Sequence, residues 1–528
     1  MPGIKITLKS DLCSGSGQGF SGIIDTDVCY DKYGLPYIPA RRLKGVLLYA
    51  ARYIETDCLT IDKIFGRSGE SKSGSLRLNN ARIDGYNNLC ENLKNNKSDR
   101  QKVLALFTDT KAQTAIENDA AAENSLRFTR IVNQYSKIDG SEIVFFADCE
   151  IDGESTEQFK KICKAVRNIG LERTRGLGAV RLEFEEKTEN GNEKKEEYEK
   201  ELSGLVSERE YCITYELILN SPLMIPGILN RETTEYISGT AILGALAAEY
   251  LKNHKPDEKF EDLFLKENVI FGNAYLEYSI PAPLFLQKVK ETGEIRTVFS
   301  KSETKGTPKP LKDAFVRPVT FEKLDIGTEI TYHHSRGENP TLYTQKHLSE
   351  GQIFKGEIIG KGEHIKIIWE LLLNGIKIGR SKSAEYSDCS VGNISEKNNI
   401  GTIELKHDED YVIALESDFA VLDEYGNYTA DISAVFKAAG FKGDIQKCKS
   451  FITTRINAGY NTVWNLKKPH FTAVKAGSYI TFKYKGDNKT AAKTKYTGEK
   501  NNEGFGKIRL YKLSELETFE YLQEVQPE

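Results

Sequence analysis

The sequence predicts a mixed α+β chain in which a strand–helix–strand unit recurs, and three observations predict it. The first is Gly34 to Ile54, GLPYIPARRLKGVLLYAARYI, an extended turn running into an amphipathic helix. Pro36 and Pro39 bias Leu35 and Ile38 away from helical dihedrals, and Pro39 suits a first helical turn, where a missing N–H costs nothing. The second is the flanking alternation of Ile4 to Leu8 and Ser75 to Ile83, each the pattern of a half-buried strand. The third is a set of glycine-type loops at Gly170 to Phe184, Ile376 to Tyr386 and Glu503 to Tyr511.

Along the helix Leu43, Val46, Leu47, Ala50 and Ile54 share the apolar face. Arg41, Lys44 and Arg52 fall opposite with Gly45 between them, and Arg42 and Tyr49 sit at the edge. A helix N-terminus beside cations favours phosphate, and a glycine lets a backbone approach closely. An ordinary solvated basic face fits the same pattern.

Composition narrows the classes. At 528 residues, 39% hydrophobic and 28% charged, the chain can bury several cores, with about three or four domains by length. A net charge of −4 excludes indiscriminate binding to nucleic acid, so any such site must be a local cationic patch. The nine Cys show no CxxC or Cys/His spacing, which argues for reduced thiols and against zinc. MPGIKITL lacks the features of a signal peptide, and no apolar run reaches the ~20 residues a bilayer requires, so the expected compartment is the cytoplasm. All seven His lie at 254 or later. Catalysis in the first half would therefore use carboxylates with a metal, or not occur.

After the helix, Asn88 to Arg100 reads as a polar, mobile segment, and Gln113 to Glu123 as a loop rich in Ala and acids. Arg127 and Arg130 precede a strand at Glu142 to Cys149; they suit phosphate contacts or are plain surface arginines. Phe159 to Asn168 is an amphipathic helix ending at Gly170. The loop GLERTRGLGAVRLEF then carries Arg173, Arg175 and Arg181 around Gly176 and Gly178, a pattern for an anion-binding concavity or for a hairpin with exposed arginines. Two strand–helix–strand passes closed by this loop are the ferredoxin-like arrangement. Glu183 to Glu201 holds nine Glu and reads as a solvated linker.

From Tyr211 the pattern restarts. Tyr236 to Leu251 takes the place of the first helix without its Arg-Arg/Lys cluster, a degenerate repeat, and Phe271-Gly272-Asn273-Ala274 echoes Phe65-Gly66 and Asn80-Ala81. Lys301 to Lys312 reads as a disordered loop. IKIGRSKSAEY places Arg380, Ser381 and Lys382 in a second glycine-type loop. A short helix is expected near Ala434 to Ala439. Tyr460, Trp464, Lys467 and Lys468 interleave aromatics and cations, as a stacking platform or an edge strand would. Residues 485 to 500 read as a flexible basic loop before Gly504, Gly506 and Lys507.

The run GIIDTDVCYDKYGLPYIPARRLKG, with FG…GSLRLNNA and the glycine loops, resembles the RAMP superfamily, the backbone and cap subunits of type III CRISPR effector complexes. The double Arg of PARRLKG looks most like the III-D branch. The resemblance implies tandem ferredoxin-like RAMP domains: a backbone-type unit at 1–185, an acidic linker at 186–209, a cap-type unit at 210–400 and its continuation at 401–528. It implies guide RNA as ligand, with Arg41, Arg42, Lys44, Gly45, Arg127, Arg130, Arg173, Arg175, Gly176 and Gly178 as its contacts. The guide's 5′ tag would lie near Arg380, Ser381, Lys382, Gly504, Gly506 and Lys507. Target RNA, other RAMP backbone subunits and the large Palm-domain subunit are the other implied partners.

Asp25 stands where the family's backbone subunits carry the Asp that cuts target RNA. By alternation Asp25, Asp27 and Cys29 would share a strand face, and Asp25 could hold Mg2+ or Mn2+ against a scissile phosphate. An Asp beside a turn also commonly caps backbone N–H groups. The chain is then either a metal-dependent endoribonuclease or a scaffold. A guide-processing ribonuclease using His333-His334 is the remaining rival.

Overall fold

The computed structural model describes residues 2–17, 19, 23–67, 74–96, 98–186, 204–227, 233–301, 306–334, 342–380, 386–397, 401–461 and 466–519. They divide into two compact units. One is Met1–Glu196 with Tyr332–Tyr343 and Ser381–Ser387, the other Glu197–Thr331, Thr344–Arg380 and Asp388–Glu528. Among the described residues no helix is long and apolar enough to cross a membrane.

In the first unit the chain runs β1 (Gly3–Leu8), α1 (Ala40–Tyr53), β2 (Ala81–Ile83), β3 (Thr108–Gln113), β4 (Arg127–Val132), β5 (Val144–Glu150), α2 (Thr156–Ala165), β6 (Val180–Glu185). β1 lies between β5 and β6, antiparallel to both, and β2 pairs β5 on the far side. The sheet order β6-β1-β5-β2 is thus second, third, first, fourth read from β2. Leu43, Leu47, Ala50 and Ala51 of α1 are buried in one core with Ile4, Ile6, Phe145 and Phe159. Apolar positions at helical spacing dictate that face.

The order recurs twice from Glu210 onward. β7 (Glu210–Leu219), α3 (Gly239–Asn253), β8 (Val269–Phe271), β9 (Thr328–His334), β10 (Leu342–Leu348), β11 (Ile353–Lys361), α4 (Gly362–Leu373) and β12 (Asp388–Glu396) give the sheet β8-β11-β7-β12. β13 (Asp410–Leu415), α5 (Ile432–Ala439), β14 (Gly443–Phe451), β15 (Thr454–Asn461), β16 (Leu466–Val474), β17 (Tyr479–Tyr484) and β18 (Lys507–Lys512) give β14-β17-β13-β18. The third sheet lacks the second helix. Between β17 and β18 it has short strands at Lys489–Ala492 and Thr494–Tyr496, where the composition suggested a flexible loop. In all three sheets a two-stranded ribbon (β3–β4, β9–β10, β15–β16) is inserted between the second and third strands.

Asn80 and Asn273 explain the echo seen in the sequence. The Asn80 side-chain oxygen accepts the Ala40 N–H at 2.8 Å, at the start of α1. Asn273 accepts the Gly239 N–H at 2.8 Å, at the start of α3. The next residue pairs with the strand before each helix, Ala81 with Ile38 and Ala274 with Ile237. One amide thus satisfies a helix-terminal donor that the helix itself cannot.

Two local expectations are corrected. Tyr86–Asn95 and Arg100–Phe107 are helices, the second capped by Asp99, so the polar stretch 88–100 is largely ordered. Gln113 to Glu123 forms the outer end of the first ribbon, with a further pairing of Ile116–Glu117 and Ala120–Ala121.

Asn80→Ala and Asn273→Ala should each destabilise the protein by about 1–3 kcal/mol, the cost of stranding a buried donor. Urea unfolding followed by circular dichroism checks this, with Asn80→Asp, which keeps an acceptor, expected to lose less.

Candidate nucleic-acid interface

The loop after β1, residues 11–16, is the hub of the first unit's candidate site. The Gly178 N–H donates to the Asp11 carbonyl at 2.7 Å and the Leu171 N–H to the Cys13 carbonyl at 2.9 Å. A Cβ on Gly178, whose φ is +75°, would collide with the Ile169 carbonyl, so only glycine closes this loop. On the other side Arg42 donates to the Gly15 carbonyl at 2.7 Å and to Ser14 Oγ at 3.2 Å. The glycine loop and the first turn of α1 are therefore both fastened to one short segment.

Arg173 and Arg175 form a single 3-10 turn on the glycine loop and are exposed. Glu172 before them is held by Gln113 of the first ribbon at 2.5 Å. Gly176, at φ +84°, has open space where a side chain would be. Arg41, Gly45, Tyr49, Arg52 and Tyr53 make the exposed face of α1.

Several expected cations are spent inside the protein. Arg42 braces the hub, as above. Lys44 is half-buried with Nζ donating to the Leu76 carbonyl at 3.4 Å, and burial lowers its pKa. Arg130 pairs with Asp27 at 2.9 Å and 3.0 Å, while Arg127 is exposed on the ribbon. These roles were invisible at the level of helical or strand period, because each depends on a carbonyl or carboxylate distant in sequence.

Residues 24–30 pair through isolated bridges, Gly15 with Val28 and Thr26 with Thr129, and along them Asp25 is exposed while Asp27 and Cys29 are buried. Asp25 is exposed and its Oδ2 accepts the Phe128 N–H at 2.7 Å. Asp27 is buried, and that burial raises its carboxyl pKa although Arg130 opposes the shift. Asp31 accepts from Tyr33 N, Leu35 N and Tyr86 Oη. Among the described residues no three His, Cys, Asp or Glu side chains converge on one point. Asp25 would offer a Mg2+ or Mn2+ one carboxylate, with water and RNA phosphate as the remaining ligands.

In the second unit Arg380 is exposed, its N–H donating to the Met224 carbonyl at 3.0 Å. Ser381 and Lys382 lie outside the described residues, as do Trp464 and the side chains of His333, His334 and Tyr460. Lys467 is exposed, whereas Lys468 pairs with Glu503 at 3.3 Å.

The third glycine loop packs against its own fold. A Cβ on Gly504 would lie 2.8 Å from Asn273 Oδ1 and from the Phe271 carbonyl, so the loop is packed on the start of α3. Gly506, at φ +82°, sits against the Thr497 carbonyl. Lys507 turns inward, with Nζ 2.8 Å from Glu357 and 3.3 Å from Glu416. Lys397 bonds Glu357 at 2.9 Å, and Arg509 bonds Glu416. Burial would raise the Glu357 carboxyl, but Lys507 and Lys397 outweigh it and hold it well below the usual range. Burial would lower Lys507, and Glu357 and Glu416 outweigh that in turn. The cluster joins the second sheet to the third. Sequence placed Lys507 on an RNA loop because the two buried glutamates are about 90 and 150 residues away, beyond any local pattern.

The family model described as RAMP superfamily matches residues 5–181 and again 216–386. No curated protein matches the chain. One similar solved chain belongs to "Cryo-EM structure of the Type III-B Cmr-beta bound to cognate target RNA", at 16% identity and TM-score 0.28, covering 35% of this chain and 96% of that one. Another belongs to "Type III-B Cmr-beta Cryo-EM structure of the Apo state", at 14% identity and TM-score 0.28, with the same coverage.

The buried cluster sets a pH dependence. Glu357 has a depressed pKa in the fold, so its contribution is complete above its unfolded value of about 4.3 and is lost as pH falls below it. Lys507 has a raised pKa, so its contribution is complete below about 10.4 and is lost at higher pH. Glu357→Gln should destabilise the second unit by about 3–5 kcal/mol at pH 7, because Lys397 loses its carboxylate and Lys507 keeps only Glu416, and should flatten the acid limb. Urea midpoints at pH 7 and pH 4 check both statements.

Proposed function

Because the chain belongs to the RAMP superfamily, we propose that it is a guide-RNA-binding subunit of a type III CRISPR effector complex, of the III-D branch suggested by PARRLKG. The observation that carries the reading is the exposed Arg173–Arg175 turn, braced through the 11–16 loop to the exposed face of α1, in a chain of net charge −4. Cations concentrated on two elements anchored to one hub suit a single-stranded phosphate backbone, with sequence recognition left to base pairing.

The strand order second, third, first, fourth in each sheet supports ferredoxin-like units. The first, 1–185, serves as backbone-type unit; 210–400 and 401–528 serve as the cap-type part, beyond a linker at 186–209. With Lys507 committed to Glu357 and Glu416, the guide's 5′ tag falls to the loop at Arg380. Target RNA, other RAMP backbone subunits and the large Palm-domain subunit complete the assembly, in the cytoplasm.

Target cleavage at Asp25 is a second reading, favoured by its exposure on backbone held by the Phe128 carbonyl, which accepts the Asp25 N–H. Its carboxylate would orient a ribose 2′-hydroxyl toward the neighbouring phosphate.

Two experiments test these readings. Arg173→Ala with Arg175→Ala should weaken binding of a 30-nucleotide single-stranded RNA and lower the log–log salt slope by about one unit per lost phosphate contact; an unchanged slope means the loop faces only solvent. Asp25→Asn in the assembled complex should abolish one cleavage position with target retention intact. Cleavage persisting at every position leaves Asp25 as a backbone cap.

A further inference from the structure

α1 and α3 offer an internal comparison. Both helices begin at the donor capped by the repeated asparagine, so Gly45 and Gly244 occupy the same position, five residues on. Both glycines are exposed in mid-helix, and a Cβ on either would meet nothing within 4 Å. An exposed mid-helix glycine destabilises a helix relative to alanine, and among the described residues no packing requires either one.

The residues around the two glycines differ. On α3 the positions matching Arg41, Tyr49, Arg52 and Tyr53 are Thr240, Ala248, Leu251 and Lys252. Thr240 donates to Glu503, and Lys252 is paired with Glu249 at 2.6 Å. On α1, Tyr49 is 66% exposed and Tyr53 76% exposed. Among the described residues neither ring stacks on another aromatic or bonds a partner. Exposing two large rings on an amphipathic helix gains the fold nothing, while arginines at both ends attract an anion.

We propose that this face is a base-stacking site in which Tyr49 and Tyr53 each take one base of a single-stranded RNA. The ribose-phosphate crosses Gly45, where the bare backbone admits it, and Arg41 and Arg52 meet the flanking phosphates. Rings four residues apart on a helix are separated by about 6 Å along its axis, against about 3.4 Å between bases stacked in a duplex. The site therefore takes unpaired, extended RNA and not a helix. The stacking site rests on the guide-binding reading, but it assigns the contact to rings, where that reading needs only cations.

The test uses the full-length chain and a 20-nucleotide single-stranded RNA carrying 2-aminopurine, whose fluorescence falls on stacking. Tyr49→Ala with Tyr53→Ala should weaken binding about tenfold or more, by the usual worth of base–aromatic contacts. It should abolish the quench and leave the salt slope unchanged. Tyr49→Phe with Tyr53→Phe should restore affinity and quench, since only the ring is needed. Both residues are on the surface, so circular dichroism should be unaltered. Wild-type affinity and quench in the alanine pair would overturn the stacking site while leaving the guide-binding reading standing. Retained RNA binding with loss of co-assembly would make the face a protein contact, which also overturns it. Absence of salt-dependent RNA binding by the wild type would overturn both.

Discussion

One hydrogen bond made twice organises this chain: a side-chain amide beside the second strand accepts the first N–H of the preceding helix. Asn80 does this for α1 and Asn273 for α3. The bond matters because Ala40 and Gly239 are buried, where an unsatisfied N–H has no water to turn to. It fixes the helix start against the strand that follows it. In the first unit Arg42, one turn into α1, can then reach the 11–16 loop, and that loop in turn holds the glycine loop. The candidate interface is thus a consequence of how the helix begins.

The same glycine-loop pattern leads to opposite outcomes in the first and third sheets, and charge decides which. At 170–178 the glycines press the loop onto the backbone of residues 11–13, and the arginines are left in solvent. At 504–507 the glycines press it onto the start of α3, and the lysine is drawn between two buried carboxylates. A cation with two buried anions for neighbours has little left to offer a phosphate. The third sheet therefore spends its loop holding the second unit together.

The sequence made the periodic features legible. The apolar face of α1, the strand at 3–8 and the echo between the two asparagine motifs all follow from spacing, and each is where the spacing places it. What spacing could not reveal is the fate of individual charges. Lys44, Arg130 and Lys507 sit in stretches that look solvated, and each is spent on a carbonyl or carboxylate from another part of the chain. Asp25 and Asp27 are a related case: one carboxylate is exposed and accepts from Phe128, the other is buried against Arg130, and each partner is 103 residues away. The topology of the third sheet was likewise hidden, since its defining strands are separated by a ribbon and by a connection without a helix.

The central claim is that RNA is held by the first unit's helix face and glycine loop and not by the loop at 503–507. Hydrogen exchange on the intact chain, with and without a 30-nucleotide single-stranded RNA, measures this directly. The account predicts slowed exchange at residues 11–16, 41–53 and 170–178, with residues 503–507 unchanged. Protection at 503–507 with none at 170–178 would contradict it.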